Sequence, residues 1–184
     1  HLPAAVICAL EGAVLGGGFG LACVSDLAIA VEKTQFGLPE TSLGIIPAQI
    51  APFVVKRIGL TQTRRLALFG NRIKAQEAMN LGLIHQVVEG NDQLEDAVNK
   101  AVTLATKCAP QASQATKALI HNVDKQDINL LLDQAAEDFA DAVCAHPFAH
   151  VQQQRTRSAS KVQHTRQTAL LAGGRFLAVQ SHDC

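Results

Sequence analysis

The chain has 184 residues, 48% of them hydrophobic and 17% charged, with a formal net charge of zero. That is the make-up of a globular body with a substantial core, and the neutral balance gives no electrostatic reason for a nucleic-acid or membrane-surface partner. No apolar run approaches the roughly 20 residues of a membrane span.

The first residues, "HLPAAVICAL", read as a strand already under way, so the expectation is that the N-terminal part of a longer protein is missing. "AAVICAL" is apolar on both faces, as a fully buried strand is. Gly12 to Gly18 make a glycine-rich turn, "GFGLACVS" a short apolar helix, and "LAIAV" a second buried strand. Strand, turn, helix and strand in that order are a crossover unit of an α/β core. Pro39 forces Leu38 into an extended or turn conformation. Pro47 suits the first turn of a helix running to about Arg57. "TQTRRLALFG" and "KAQEAMNLG" read as helices stopped by glycine, and "LIHQVV" as a short strand. Three amphipathic helices follow. In "DQLEDAVNKAVTLATK", Leu94, Val98, Ala101, Val102 and Ala105 share a face, and Asp92 with Glu95 resembles a capping box. "PQASQATKALIHNV" is the second. The third, "DINLLLDQAAEDFADAV", sets Ile128, Leu131, Leu132, Ala135 and Phe139 on one face. From Val143 onward there are five basic residues (Arg155, Arg157, Lys161, Arg166, Arg175) and one acid, Asp183. A solvated, poorly ordered tail is the plain reading. An anion-binding tail is the sharper one, but it lacks the aromatic residues that single-strand binding uses.

The five cysteines include no CxxC pair, and no histidines are paired at ligand spacing, so no metal is expected. Cys8 and Cys23 lie in apolar segments and read as small buried hydrophobes. Their free thiols suit a reducing compartment, taken as cytoplasmic. His85 and His121 read as packed or surface residues, Asp26 as a link between helix and strand, and Arg64-Arg65 as an exposed pair at the start of a helix. A Ser-His-Asp site lacks its GxSxG elbow.

A helix that begins just after a glycine run presents unpaired N–H groups and the positive end of its dipole. Such a site holds a phosphate or an oxyanion. The run here is GGGFG with no lysine after it, which weakens a phosphate reading. An oxyanion needs only backbone N–H groups and close access. One carboxylate stands in a suitable setting nearby: Glu40, after Pro39 in "FGLPETSLG" and among apolar and small residues. Partial desolvation is what a proton-transfer group requires, although an acid after proline is also an ordinary first residue of a helix.

Four stretches, in this order and spacing, resemble the crotonase, or enoyl-CoA hydratase/isomerase, family. They are "GAVLGGGFGLA", "SDLAIA", "FGLPETSLGIIP" and "RRLALFGNRIKAQEAMNLGLI". The resemblance implies an α/β fold: the C-terminal part of a ββα spiral core, followed by a helical oligomerisation region. The expected organisation is a partial core with the oxyanion turn over residues 1–74, oligomerisation helices over 75–142 and an atypical tail over 143–184. Carried over by position, Gly17 is an oxyanion N–H donor, with Gly16 and Gly18 keeping the turn open, and Glu40 is the proton-transfer acid. Gly16, Gly18, Gly20, Pro39, Pro47 and Gln49 are the substrate-binding positions that the resemblance implies. The resemblance further implies that coenzyme A, as part of a thioester substrate, is the only cofactor chemistry, and that the chain forms a homotrimer or a pair of trimers.

Two departures matter. Hydratases of the family often carry a second glutamate where this chain has Gly20, and a lone acid suffices for isomerisation. The family's glycine-rich turn after "GIIP" is here "PAQIAPFVVKRIG". That segment resembles a subgroup hydrating branched glutaconyl thioesters, of the 3-methylglutaconyl and isohexenylglutaconyl kinds. The expected reaction is therefore addition of water to a branched enoyl-CoA, and Gln49, or the substrate's extra carboxylate, is expected to help position the water. Enoyl-CoA isomerisation by Glu40 alone is the alternative, and an inactive piece or a non-catalytic oligomerising subunit is the third reading. The family's other oxyanion donor and much of its CoA loop fall before His1.

Overall fold

The computed structural model describes residues 2–145, 165–171 and 174–180. In chain order they form β1 (Ala5–Leu10), β2 (Ala13–Leu15), α1 (Gly17–Val24), β3 (Leu27–Val31), β4 (Gln35–Gly37), a 3-10 turn (Glu40–Leu43), α2 (Ala51–Phe69) and β5 (Arg72–Lys74). After these come α3 (Ala75–Asn80), β6 (Gln86–Val88), α4 (Asn91–Ala105), α5 (Pro110–Asn122), α6 (Ile128–Ala145), β7 (Thr165–Leu171) and β8 (Gly174–Gln180). Among them no helix is long and apolar enough to cross a membrane.

One compact unit comprises Val6–Val102 with Gln167–Ala178; the described part of the other includes residues 2–5 and 103–145. The first unit runs on to Val102. The cause is β6, which pairs in parallel with β3 through Ile29 and Gln86, Ala30 and Val87, and Val31 and Val88. Behind it, Ala75, Ala78, Leu83 and Ile84 are all buried in the main apolar cluster.

The expected crossover is present. β1 lies parallel to β3, with Cys8 opposite Ala28 and Leu10 opposite Ala30, and all four side chains are buried. The full sheet order is β6-β3-β1-β8-β7. Strands β7 and β8 fall where the sequence reading placed a poorly ordered tail. They are two seven-residue strands, Thr165–Leu171 and Gly174–Gln180, adjacent in the sheet. The remainder of that tail, residues 146–164, 172–173 and 181–184, lies outside the described residues.

A second sheet, β2-β4-β5, was not legible because its strands have three residues each. β2 and β4 pair in parallel, Leu15 opposite Gly37, and β4 meets β5 antiparallel. Two further corrections concern helix ends. Residues 47–50 form a turn in which the Pro47 carbonyl accepts the N–H groups of Ile50 and Ala51, so α2 starts at Ala51 and not at Pro47. The two helices expected on either side of Gly59 are joined end to end across that residue, whose φ of 78° and ψ of 162° break the helical geometry. At the start of α4 a reciprocal lock joins Glu89 and Gln93. Gln93 Oε1 accepts the Glu89 N–H at 2.8 Å, and Gln93 Nε2 donates to Glu89 Oε2 at 3.3 Å.

The four described cysteines are free. Burial pushes the Cys8 and Cys23 thiols up to about 12, so they are unionised packing groups. Asp26, between α1 and β3, is tied to β1: its carboxylate accepts the Val6 N–H at 2.7 Å, and its own N–H donates to the Val6 carbonyl at 2.9 Å. His85 ties β6 to β3 by accepting the Ala28 N–H on Nδ1 at 2.9 Å. Arg57 holds the Leu83 carbonyl with Nε and Nη2 at 3.2 and 3.1 Å and stands against the same ring. Desolvation by burial, and then the Arg57 charge, hold the His85 pKa below its usual value of 6.5.

The fold thus favours neutral His85, and below about pH 6.5 the unfolded chain takes up the proton more readily than the native one. The stabilising contribution is complete above the unfolded value and is lost as pH falls through the native one. Thermal melts of the wild type from pH 7 to pH 5 will show a falling midpoint, and His85→Gln will flatten that fall. Parallel curves for the two proteins would show that His85 is not the group responsible.

Candidate active site

The pairing of β2 with β4 builds the site. It sets Leu15 beside Gly37, and the next residue, Gly16, donates its N–H to the Gly37 carbonyl at 3.1 Å. Gly37 leads through Leu38 and Pro39 to Glu40, so the register of two short strands brings the glycine turn against the acid. Phe19 and Phe36, both fully buried, brace the two segments from below with their rings edge to face and 6.5 Å apart.

Gly16 is the N-cap of α1, with φ 51° and ψ −115°, a backbone that side-chain-bearing residues rarely adopt. A Cβ there would also lie 3.1 Å from Glu40 Oε1. Gly17 and Gly18 follow as the first two helical residues. Their N–H groups precede the first intrahelical bond, which runs from Gly20 N–H to the Gly16 carbonyl at 3.0 Å. A Cβ on Gly17 would meet nothing within 4 Å, so the ground beside this donor is open. The helix start therefore offers N–H groups without a partner among the described residues, at the positive end of a helix dipole and next to a carboxylate.

Glu40 opens the 3-10 turn, with Pro39 at its cap. The Pro39 carbonyl accepts both the N–H and the hydroxyl of Ser42, at 3.0 and 2.6 Å. Thr41 Oγ1 donates to the Ala67 carbonyl of α2 at 2.7 Å. The backbone that carries Glu40 is thus fixed from two sides. Its side chain is partly buried, and Oε2 is buried with no hydrogen-bond partner among the described residues. A buried polar atom left unpaired costs on the order of 1–3 kcal/mol, and such atoms in folded proteins commonly have a catalytic or ligand-binding explanation.

The structure brings together Gly16, Gly17, Gly18, Pro39 and Glu40. Gly20 lies one turn further along α1, and there the expectation needs enlarging. A Cβ on Gly20 would come 2.4 Å from Ile50 Cγ2 and 2.8 Å from Ile50 Cβ. Gly20 is thus covered by the side chain of Ile50, from the segment "PAQIAPFVVKRIG". Pro47 shapes the turn that delivers Ile50, and Gln49 is exposed on that turn. Among the described residues no three His, Cys, Asp or Glu side chains gather as metal ligands would. Arg65 pairs with Glu77 at 2.7 Å, both side chains about half exposed.

Residues 1–163 match the family model described as enoyl-CoA hydratase/isomerase. The chain is 30% identical over 141 residues to enoyl-CoA hydratase ACTT6 of Alternaria alternata, covering 77% of this chain and 47% of that protein. It is 32% identical over 140 residues to the mitochondrial methylglutaconyl-CoA hydratase of Mus musculus, covering 75% and 45%. It thus spans about half the length of these curated relatives. Among solved structures, an enoyl-CoA hydratase/isomerase from Marinobacter aquaeolei is 57% identical with a TM-score of 0.74, over 80% of this chain and 56% of that one. AtuE of Pseudomonas aeruginosa is 53% identical with the same TM-score, over 80% and 57%. The α/β core is that of a crotonase fold, and the chain belongs to the enoyl-CoA hydratase/isomerase family.

Proposed function

We propose that the protein of which these residues form the site adds water across the double bond of a branched enoyl-CoA, of the 3-methylglutaconyl or isohexenylglutaconyl kind. The observation that carries the reading is the Glu40 carboxylate at the start of α1: its Oε2 is buried with no hydrogen-bond partner among the described residues, and its Oε1 lies 3.1 Å from where a Cβ on Gly16 would stand. Likeness to methylglutaconyl-CoA hydratase supports the choice of acyl group.

In this reading the thioester oxygen accepts the Gly17 N–H. The helix start stabilises the negative charge that gathers on that oxygen when water adds, and one such donor is worth about 3 kcal/mol of barrier. Glu40 takes a proton from the attacking water as its oxygen bonds to the β-carbon. The same carboxyl then returns a proton to the α-carbon and restores the thioester. The products balance: one water enters, the carbon–carbon double bond is lost, and Glu40 ends as it began. Coenzyme A enters only as part of the thioester, and the reaction needs no redox cofactor or metal.

One observation favours the alternative of isomerisation. Ile50 covers Gly20, so α1 sets no second acid beside Glu40. A lone carboxylate can also take a proton from the α-carbon and return it at the γ-carbon.

Product mass separates the two. Incubation with 3-methylglutaconyl-CoA, isohexenylglutaconyl-CoA and a straight 3-enoyl-CoA is expected to add the mass of one water to a branched substrate. Glu40→Gln is expected to lower that turnover by about 10²- to 10⁴-fold, the usual worth of a general acid–base group, without lowering the melting temperature. Unchanged mass with a displaced double bond would replace hydration by isomerisation. Full turnover in Glu40→Gln would remove Glu40 from the chemistry.

We further propose that α5 and α6 meet other copies of the chain. On α6 Leu131 is buried, while Ile128, Leu130, Leu132 and Phe139 are 53%, 65%, 59% and 71% exposed. Apolar side chains so placed on one helix mark an interaction surface. Sedimentation is expected to give three or six times the 19.5 kDa chain mass, and Leu132→Glu with Phe139→Glu is expected to shift it to one. A monomeric wild type would dismiss the assembly.

A further inference from the structure

The covering of Gly20 by Ile50 bears on what the site accepts. Gly16 and Gly20 are one helical turn apart, joined by the Gly20 N–H to Gly16 carbonyl bond, a rise of about 5.4 Å. At the first of these positions the side without a Cβ faces the Glu40 carboxylate; at the second it faces Ile50. Glu40 and Ile50 therefore lie against two positions of this segment that are one turn apart. With no side chain on Gly20, Ile50 is pressed against the helix, which restricts its rotamers. It is only partly buried, its inner part packed on the main apolar cluster, so an apolar surface remains for a ligand to meet.

A thioester held with its oxygen on the Gly17 N–H and its α-carbon at Glu40 must run its next carbons past this point. A substituent on the β-carbon lies three bonds of about 1.5 Å each from the carbonyl carbon, a reach comparable with one turn of α1. We propose that Ile50 is a specificity-determining residue whose exposed flank receives the alkyl branch on the β-carbon of the acyl group. The ligand class is a coenzyme A thioester of a β-branched acid. The inference rests on the proposed function for its choice of thioester and its orientation. It adds a residue, a contact and a reason why an apolar group stands against Gly20.

Calorimetric binding of unreactive saturated thioesters tests it apart from catalysis. Free coenzyme A, butyryl-CoA and 3-methylbutyryl-CoA are titrated into the wild type, Ile50→Ala and Ile50→Val. The wild type is expected to prefer the branched thioester about four-fold, the worth of one buried methyl group. Ile50→Ala is expected to abolish that preference with the affinity for free coenzyme A unchanged. Should Ile50→Ala fail to fold, Ile50→Val is expected to reduce the preference to about two-fold. A wild type without the preference, a preference that survives in the variants, or an equal loss for both thioesters would overturn the assignment and leave Ile50 a packing residue. A hydration assay on the same preparations keeps the two readings apart. A preference that depends on Ile50 in a protein that hydrates nothing supports this contact and refutes the hydratase. Hydration with a preference indifferent to Ile50 does the reverse.

Discussion

The hydrogen bond from the Gly16 N–H to the Gly37 carbonyl, 3.1 Å long, ties the glycine turn to the strand that leads into Glu40. Most of the site depends on it. It extends the β2–β4 register by one residue and brings Gly16, the N-cap of α1, up to Glu40. Because the register is set by paired backbone groups, a slip of one residue would reverse the inward and outward faces. Val14 and Phe36 would leave the core, where they are 1% and 0% exposed. The hydrophobic cost of that slip holds the acid in line with the donors.

Glycine does two different jobs in this turn. At position 16 both the backbone conformation and the nearness of Glu40 exclude a side chain. At position 20 the backbone is ordinary helix, and the exclusion comes only from Ile50. The first is a demand of the turn itself. The second is a choice of neighbour, because a smaller residue at 50 would make room at 20. The acid content of the site is therefore decided partly on α1 and partly on the turn that leads into α2.

Much of this was legible in the sequence where local chemistry speaks. A glycine run before an apolar helix, a glutamate after proline, and buried strands with small residues each declare themselves within ten residues. What sequence left dark is long-range. Three-residue strands carry too few side chains to show a period, so β2, β4 and β5 became visible only as partners of one another. Ile50 looked like one more apolar residue in "PAQIAPF", since nothing local says that it will seat against a glycine thirty positions earlier. The break at Gly59 was legible, but not that its two helices continue end to end. The run of the first unit on to Val102 follows from the pairing of β6 with β3, which an amphipathic pattern does not announce.

In the proposed hydration a lone carboxylate has a stereochemical consequence. Glu40 stands on one side of the glycine turn, its backbone fixed through Pro39, Ser42 and Thr41. A group that both removes the proton from water and delivers one to the neighbouring carbon must do so from the side on which it stands. Hydroxyl and hydrogen then arrive on the same face of the double bond. Addition from opposite faces would need a second proton donor across the substrate, and at Gly20 α1 meets the apolar side chain of Ile50. One residue that fills a space thus links the economy of the site, a single acid, to the geometry of its product.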